Sequence, residues 1–124
     1  MLEGVLANNV PNDLKKIFPN QTFMEPENKP GIYVCYFPHN DTVYVGMSKE
    51  IKTEIGRLQS RKEKRPRVIE SFSKSGKNVK TYSILQGKGL ENEGLRRQLE
   101  IKFINIAGPK SINIDGQNKL RKFT

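Results

Sequence analysis

Two β-rich segments set four residues apart constrain this chain more than any other feature. Gly31 to Phe37 reads Gly-Ile-Tyr-Val-Cys-Tyr-Phe, Pro38-His39-Asn40-Asp41 is turn chemistry, and Thr42-Val43-Tyr44-Val45 is β-rich again and stops at Gly46. β-Branched and aromatic side chains suit a pleated surface, while Pro, Asn and Asp suit turns, so the pattern predicts a hairpin. Side chains alternate along a strand. Tyr33, Cys35 and Phe37 therefore point to one face of the first strand, and Ile32, Val34 and Tyr36 to the other.

After the hairpin the apolar period changes. Ile51, Ile55 and Leu58 recur at i, i+4 and i+7, which predicts a helix from about residue 49 to 62, with Ser48 as its N-cap and Glu50 in its first turn. Its apolar stripe faces the sheet. At 100° per residue, Glu54, Arg57 and Arg61 fall within about 60° of one another, on one polar edge. Pro66 opens a second short helix to about Lys74, and Ser75-Gly76-Lys77-Asn78 breaks it before a third strand from Val79 to Leu85. Leu95, Leu99, Phe103 and Ile106 then predict a long helix from about Glu91 to Ile106, closed by Ala107-Gly108-Pro109, with Glu100 beside the apolar stripe. The order is ββααβα, followed by a short Ile112-Asn113-Ile114 segment. Ahead of it all lies an arm, residues 1–29, in which Asn12 or Asp13 caps a short helix through Leu14 to Phe18 and three prolines (Pro19, Pro26, and Pro30 at the boundary) keep the path extended. The arm serves as packing or as linker. Residues 30–116 form the main domain and residues 117–124 a basic tail.

A chain of 124 residues fits one domain with short extensions. Its 22 basic and 13 acidic side chains leave a formal charge of +9, which favours polyanions as partners. The charge is uneven: residues 1–30 carry a net −1 and residues 31–124 a net +10. The densest patch is Arg57, Arg61, Lys62, Lys64, Arg65 and Arg67, six cations in eleven positions against Glu63. A single cysteine, Cys35, and a single histidine, His39, give neither an internal disulfide nor a Cys/His set for zinc, so a metal site would be built from oxygen ligands. No apolar run approaches the roughly 18 residues of a membrane span, and Met1-Leu2-Glu3-Gly4 does not open a signal peptide. The expectation is a cytoplasmic protein with no membrane partner.

Gly31-Ile32-Tyr33, ten residues, then Tyr44-Val45-Gly46 closely resembles the signature of the GIY-YIG nuclease family. Glu70 to Val79, Tyr82-Ser83-Ile84-Leu85, Glu100 to Ile104 and Ile112-Asn113-Ile114 are similar to the family's later blocks, above all those of its phage and intron-encoded homing members. The resemblance covers about Pro30 to Asp115. It implies an α+β fold, a small three-stranded antiparallel sheet flanked by helices, and Mg²⁺- or Mn²⁺-dependent cleavage of double-stranded DNA. Carried over by position, the two motif tyrosines fall on Tyr33 and Tyr44, the metal-binding glutamate on Glu100 and the late asparagine on Asn113. The position of the family's arginine holds Glu54, and Arg57, one helical turn further on, takes the role, with Arg61 behind it. In this scheme Tyr33 is the general base, Tyr44 orients the water or Tyr33, and Lys49 is an auxiliary cation. Arg57, Arg61, Lys62, Lys64, Arg65 and Arg67 hold the DNA backbone without reading its sequence. Two other readings stay open: a GIY-YIG-like protein that binds DNA without cutting it, and an RNA- or ribosome-associated protein, to which only the charge points.

Overall fold

The fold was described from a computed structural model, in which residues 4–60 and 65–113 are defined. Three antiparallel strands, β1 (Gly31–Phe37), β2 (Thr42–Ser48) and β3 (Lys80–Gln86), form one sheet in the order β2-β1-β3. Helix α1 (Asn12–Ile17) precedes the sheet, α2 (Ile51–Gln59) and α3 (Pro66–Ser75) lie between β2 and β3, and α4 (Glu93–Ala107) follows. This is the small α+β architecture expected, with the central strand coinciding with the predicted segment.

All seven residues of β1 are buried, because both faces of the sheet are covered. On one face Ile32, Val34 and Tyr36 pack with Val43, Val45, Tyr82 and Ile84 against Phe103, Ile104 and Ala107 of α4 and against Leu14, Phe18 and Phe23 of the arm. On the other, Tyr33, Cys35, Phe37 and Tyr44 pack against Ile51, Ile55 and Leu58 of α2 and Val68 and Phe72 of α3. The alternation read from the sequence thus sorts the strand between two cores.

The arm is packing rather than linker. Met24 and Ser83 exchange two backbone hydrogen bonds of 2.9 Å, so the arm closes the outer edge of β3. Buried Gln86 ties it down further: its Oε1 accepts from the Glu27 amide and the Ser83 hydroxyl, and its Nε2 donates to the Glu25 carbonyl.

Three local expectations are corrected. β2 does not stop at Gly46 but runs on to Ser48, because Gly46 stays in register opposite Tyr33. Ser48 does not cap α2; its hydroxyl accepts from the Glu50 amide. The opening amides of α2 are instead met by the arm, Ile51 by the Lys29 carbonyl, Lys52 by the Glu27 carbonyl and Thr53 by Asn28 Oδ1. The helix accordingly spans Ile51–Gln59, shorter than predicted. On α4, Phe103 is buried and Leu99 packs partly, but Leu95 and Ile106 are exposed, and the face toward the protein is Arg96, Glu100, Phe103, Ile104 and Ala107.

Candidate active site

The two motif glycines have different steric reasons to be glycine. At Gly31 a Cβ would run into the Leu85 carbonyl of the neighbouring strand. At Gly46 it would run into the ring of Tyr33. Register explains the second: Tyr33 of β1 pairs with Gly46 of β2, so the phenol lies across a residue that has no side chain. Beyond it stands Tyr44, with ring centroids 6.3 Å apart.

Next to Tyr44 is a cavity of about 290 Å³ at the outer edge of β2. Its walls come from four places: Tyr44 of β2, Arg65 and Arg67 flanking the first residue of α3, Glu100 of α4, and Ile112 and Asn113 beyond α4. Pro66 at the first position of α3 sets the geometry of this corner, since proline is pre-shaped for a helix start and holds the preceding residue extended; Arg65 has φ −77° and ψ 120°. The guanidinium of Arg65 lies 4.8 Å from the Tyr44 ring centroid. Glu100 is 7% exposed, on the inward face of its helix.

Asn113 is held at the strand edge. Its Oδ1 accepts from the Val45 amide and its Nδ2 donates to the Val45 carbonyl, both at 2.9 Å, while the Ile112 amide donates to the Val43 carbonyl. The segment Ser111–Asn113 therefore seals β2 and walls the cavity with the same residues.

Burial governs the phenols. Tyr44 is pushed up to about 12 by loss of solvent, opposed by the charge of Arg65 and by a hydrogen bond from it. Tyr33, 1% exposed, is driven well above the usual phenol range, first by burial and then by Tyr44, Cys35 and Glu54. Burial also raises the Cys35 thiol. The Tyr33 hydroxyl points at Glu54 Oε2 at 3.4 Å, and Glu54 is gripped by Arg57 through Nε to Oε1 at 3.1 Å and Nη2 to Oε2 at 2.7 Å.

The structure thus brings Tyr44, Glu100 and Asn113 to one cavity with Arg65 and Arg67, and keeps Tyr33 one ring behind it. Arg57 is not among the residues lining that cavity but sits on α2 with Glu54. Lys49 is exposed beside Glu50, Thr53 and Glu54, on a separate groove at the start of α2. Arg61, Lys62 and Lys64 lie outside the described residues, as does the tail 117–124. Sequence reasoning counted Arg65 only as a backbone contact; the signal for its special place is the Arg-Pro-Arg step that opens α3. Among the described residues no helix is long and apolar enough to cross a membrane. Comparison of the chain with protein-family models, with curated proteins and with solved structures finds no match.

Proposed function

We propose that the protein is a divalent-metal-dependent DNA endonuclease of the GIY-YIG type, a phage or mobile-element enzyme acting in the cytoplasm of the cell that holds its DNA. One observation carries the reading: a phenol, a carboxylate and two guanidinium groups, from elements distant in sequence, meet at one cavity beside the paired tyrosine motifs. That set matches the needs of phosphodiester hydrolysis, which are an acceptor for water's proton, cations against the phosphoryl charge, and relief of the leaving oxygen. Glu100 offers one oxygen-donor carboxylate, and among the described residues no group of three or more His, Cys, Asp or Glu forms a cage. A lone carboxylate fits Mg²⁺ or Mn²⁺, hard ions that keep several waters. When bound there, the ion supplies polarisation of the phosphoryl group and charge relief at the leaving oxygen.

This chain's residues do the remainder. Tyr44, as phenolate, takes a proton from the attacking water, whose oxygen forms the new bond to phosphorus. The bond from phosphorus to the 3′ oxygen breaks, and that oxygen collects a proton from solvent. The roles expected of the two tyrosines are thus exchanged: Tyr33, 1% exposed and not among the cavity's lining residues, packs behind Tyr44 and fixes its ring instead of serving as the base. Arg67 and Lys49 hold flanking phosphates.

The test is digestion of supercoiled plasmid with Mg²⁺, Mn²⁺ or EDTA. Wild type nicks or linearises DNA only with metal, and Glu100→Ala loses at least about 100-fold in rate while binding a short duplex nearly as well. Glu100→Ala cutting at the wild-type rate would remove the metal assignment. Burial favours the neutral phenol of Tyr44, so the reactive form is scarce at neutral pH. The log of the cleavage rate accordingly climbs by about one per pH unit to at least about pH 9, and Tyr44→Phe abolishes that slope.

A second reading has its own observation. The family's arginine position holds Glu54, ion-paired to the nearby Arg57, an arrangement that suits a relative that binds DNA without cutting it. Salt-sensitive binding with no cleavage under any divalent ion favours that reading.

A further inference from the structure

The resemblance asks for a guanidinium on α2, yet Arg57 stands there beside Glu54, which it meets through two N–H···O bonds of 3.1 and 2.7 Å, and it is not among the residues lining the cavity of Tyr44 and Glu100. Arg65 stands elsewhere, on the wall shared with Glu100 and against the face of Tyr44. Building on the nuclease reading, we propose that Arg65, at the threshold of α3, is the catalytic guanidinium that grips the scissile phosphate, and that Arg57 is not.

Three features of the corner support this. The guanidinium of Arg65 lies on the cavity wall, 4.8 Å from the Tyr44 ring centroid, and a planar guanidinium can grip two phosphate oxygens at once. The backbone is constrained as well, because Pro66 excludes helical geometry for the residue before it; little conformational freedom is lost when substrate arrives. Charge favours the same occupant. Arg65 and Arg67 outnumber Glu100 on the cavity wall, so the site attracts an anion. Arg65 also acts on the neighbouring phenol: its charge and hydrogen bond oppose the effect of burial on Tyr44, which ties phosphate clamp and proton acceptor into one pair.

The experiment compares wild type, Arg65→Ala, Arg65→Lys and Arg57→Ala on supercoiled plasmid with Mn²⁺, alongside duplex binding in EDTA and thermal unfolding of each variant. Arg65→Ala lowers the rate at saturating DNA by at least about 100-fold while weakening binding by less than about tenfold, because the contact matters most as charge builds in the transition state. Arg65→Lys keeps the charge and the fold but recovers only part of the rate, since an ammonium neither stacks nor binds bidentately. Arg57→Ala stays within about fivefold of wild type. Arg65→Ala or Arg65→Lys cutting at the wild-type rate, or Arg57→Ala losing as much as Arg65→Ala, overturns the assignment and leaves the nuclease reading standing. A wild-type protein inert with every metal overturns both.

Discussion

The ring of Tyr33 occupies the space that a methyl group on Gly46 would need, so Tyr33 in this position calls for glycine opposite it. Tyr33 is 1% exposed and packed among Tyr44, Ile51 and Ile55, which leaves its ring little room to yield. Gly46→Ala therefore destabilises the protein by about 1–3 kcal/mol, the cost of overpacking a filled core. Urea unfolding measures it; an unchanged midpoint would mean that the ring swings aside freely. The spacing of the two motifs was legible in the sequence, but its reason was not, since only strand register sets Tyr33 opposite Gly46. Arg65 was hidden for a related cause. Nothing in a run of cations separates the one that stacks on a phenol from those that face water, and only the folded corner at Pro66 does so.

Among the elements, legibility follows how far each is determined locally. β1 is dense in β-branched and aromatic residues and is bounded by Pro30 and Pro38, so it could be read residue by residue. Helix α4 could not. Hydropathy selects Leu95, Leu99, Phe103 and Ile106, yet two charged residues hold the inward face. Arg96 is buried there because its Nη1 donates to the Leu90 and Glu91 carbonyls at 2.7 Å, stapling the loop before the helix. Glu100 is buried there too, on the wall of the cavity. Buried polar groups with partners are the feature that a hydrophobic pattern misses. The start of α2 was misread for another reason: its caps come from residues some 25 positions earlier, beyond the reach of any local capping rule.

For the whole molecule, the arm completes one of the sheet's two cores, which it shares with α4. Leu14, Phe18 and Phe23 are each at most 5% exposed and pack on Phe103 and Tyr82. Each such side chain contributes about 1.5–3 kcal/mol by burial, against a net stability of about 5–15 kcal/mol for a typical domain. Removing residues 1–29 therefore yields a chain without a cooperative thermal transition and without near-ultraviolet circular dichroism. A sharp transition in the truncated protein would show that α4 and the sheet suffice. The N-terminal helix and the extended path after it could be read in outline from the prolines, although Pro11 and not Asn12 or Asp13 stands at the N-cap and no side chain caps the helix, and their apolar side chains were too sparse to reveal which face they close.

The seal on β2 has a spectroscopic consequence. The Val45 amide proton is held by the side chain of Asn113 rather than by another strand's backbone, although Val45 itself lies at the heart of the hairpin. Its rate of exchange with heavy water thus reports the closure of the segment beyond α4, in a strand whose other protected amides report the sheet. A single resonance lets the docking of the cavity wall be followed separately from the folding of the domain that carries it.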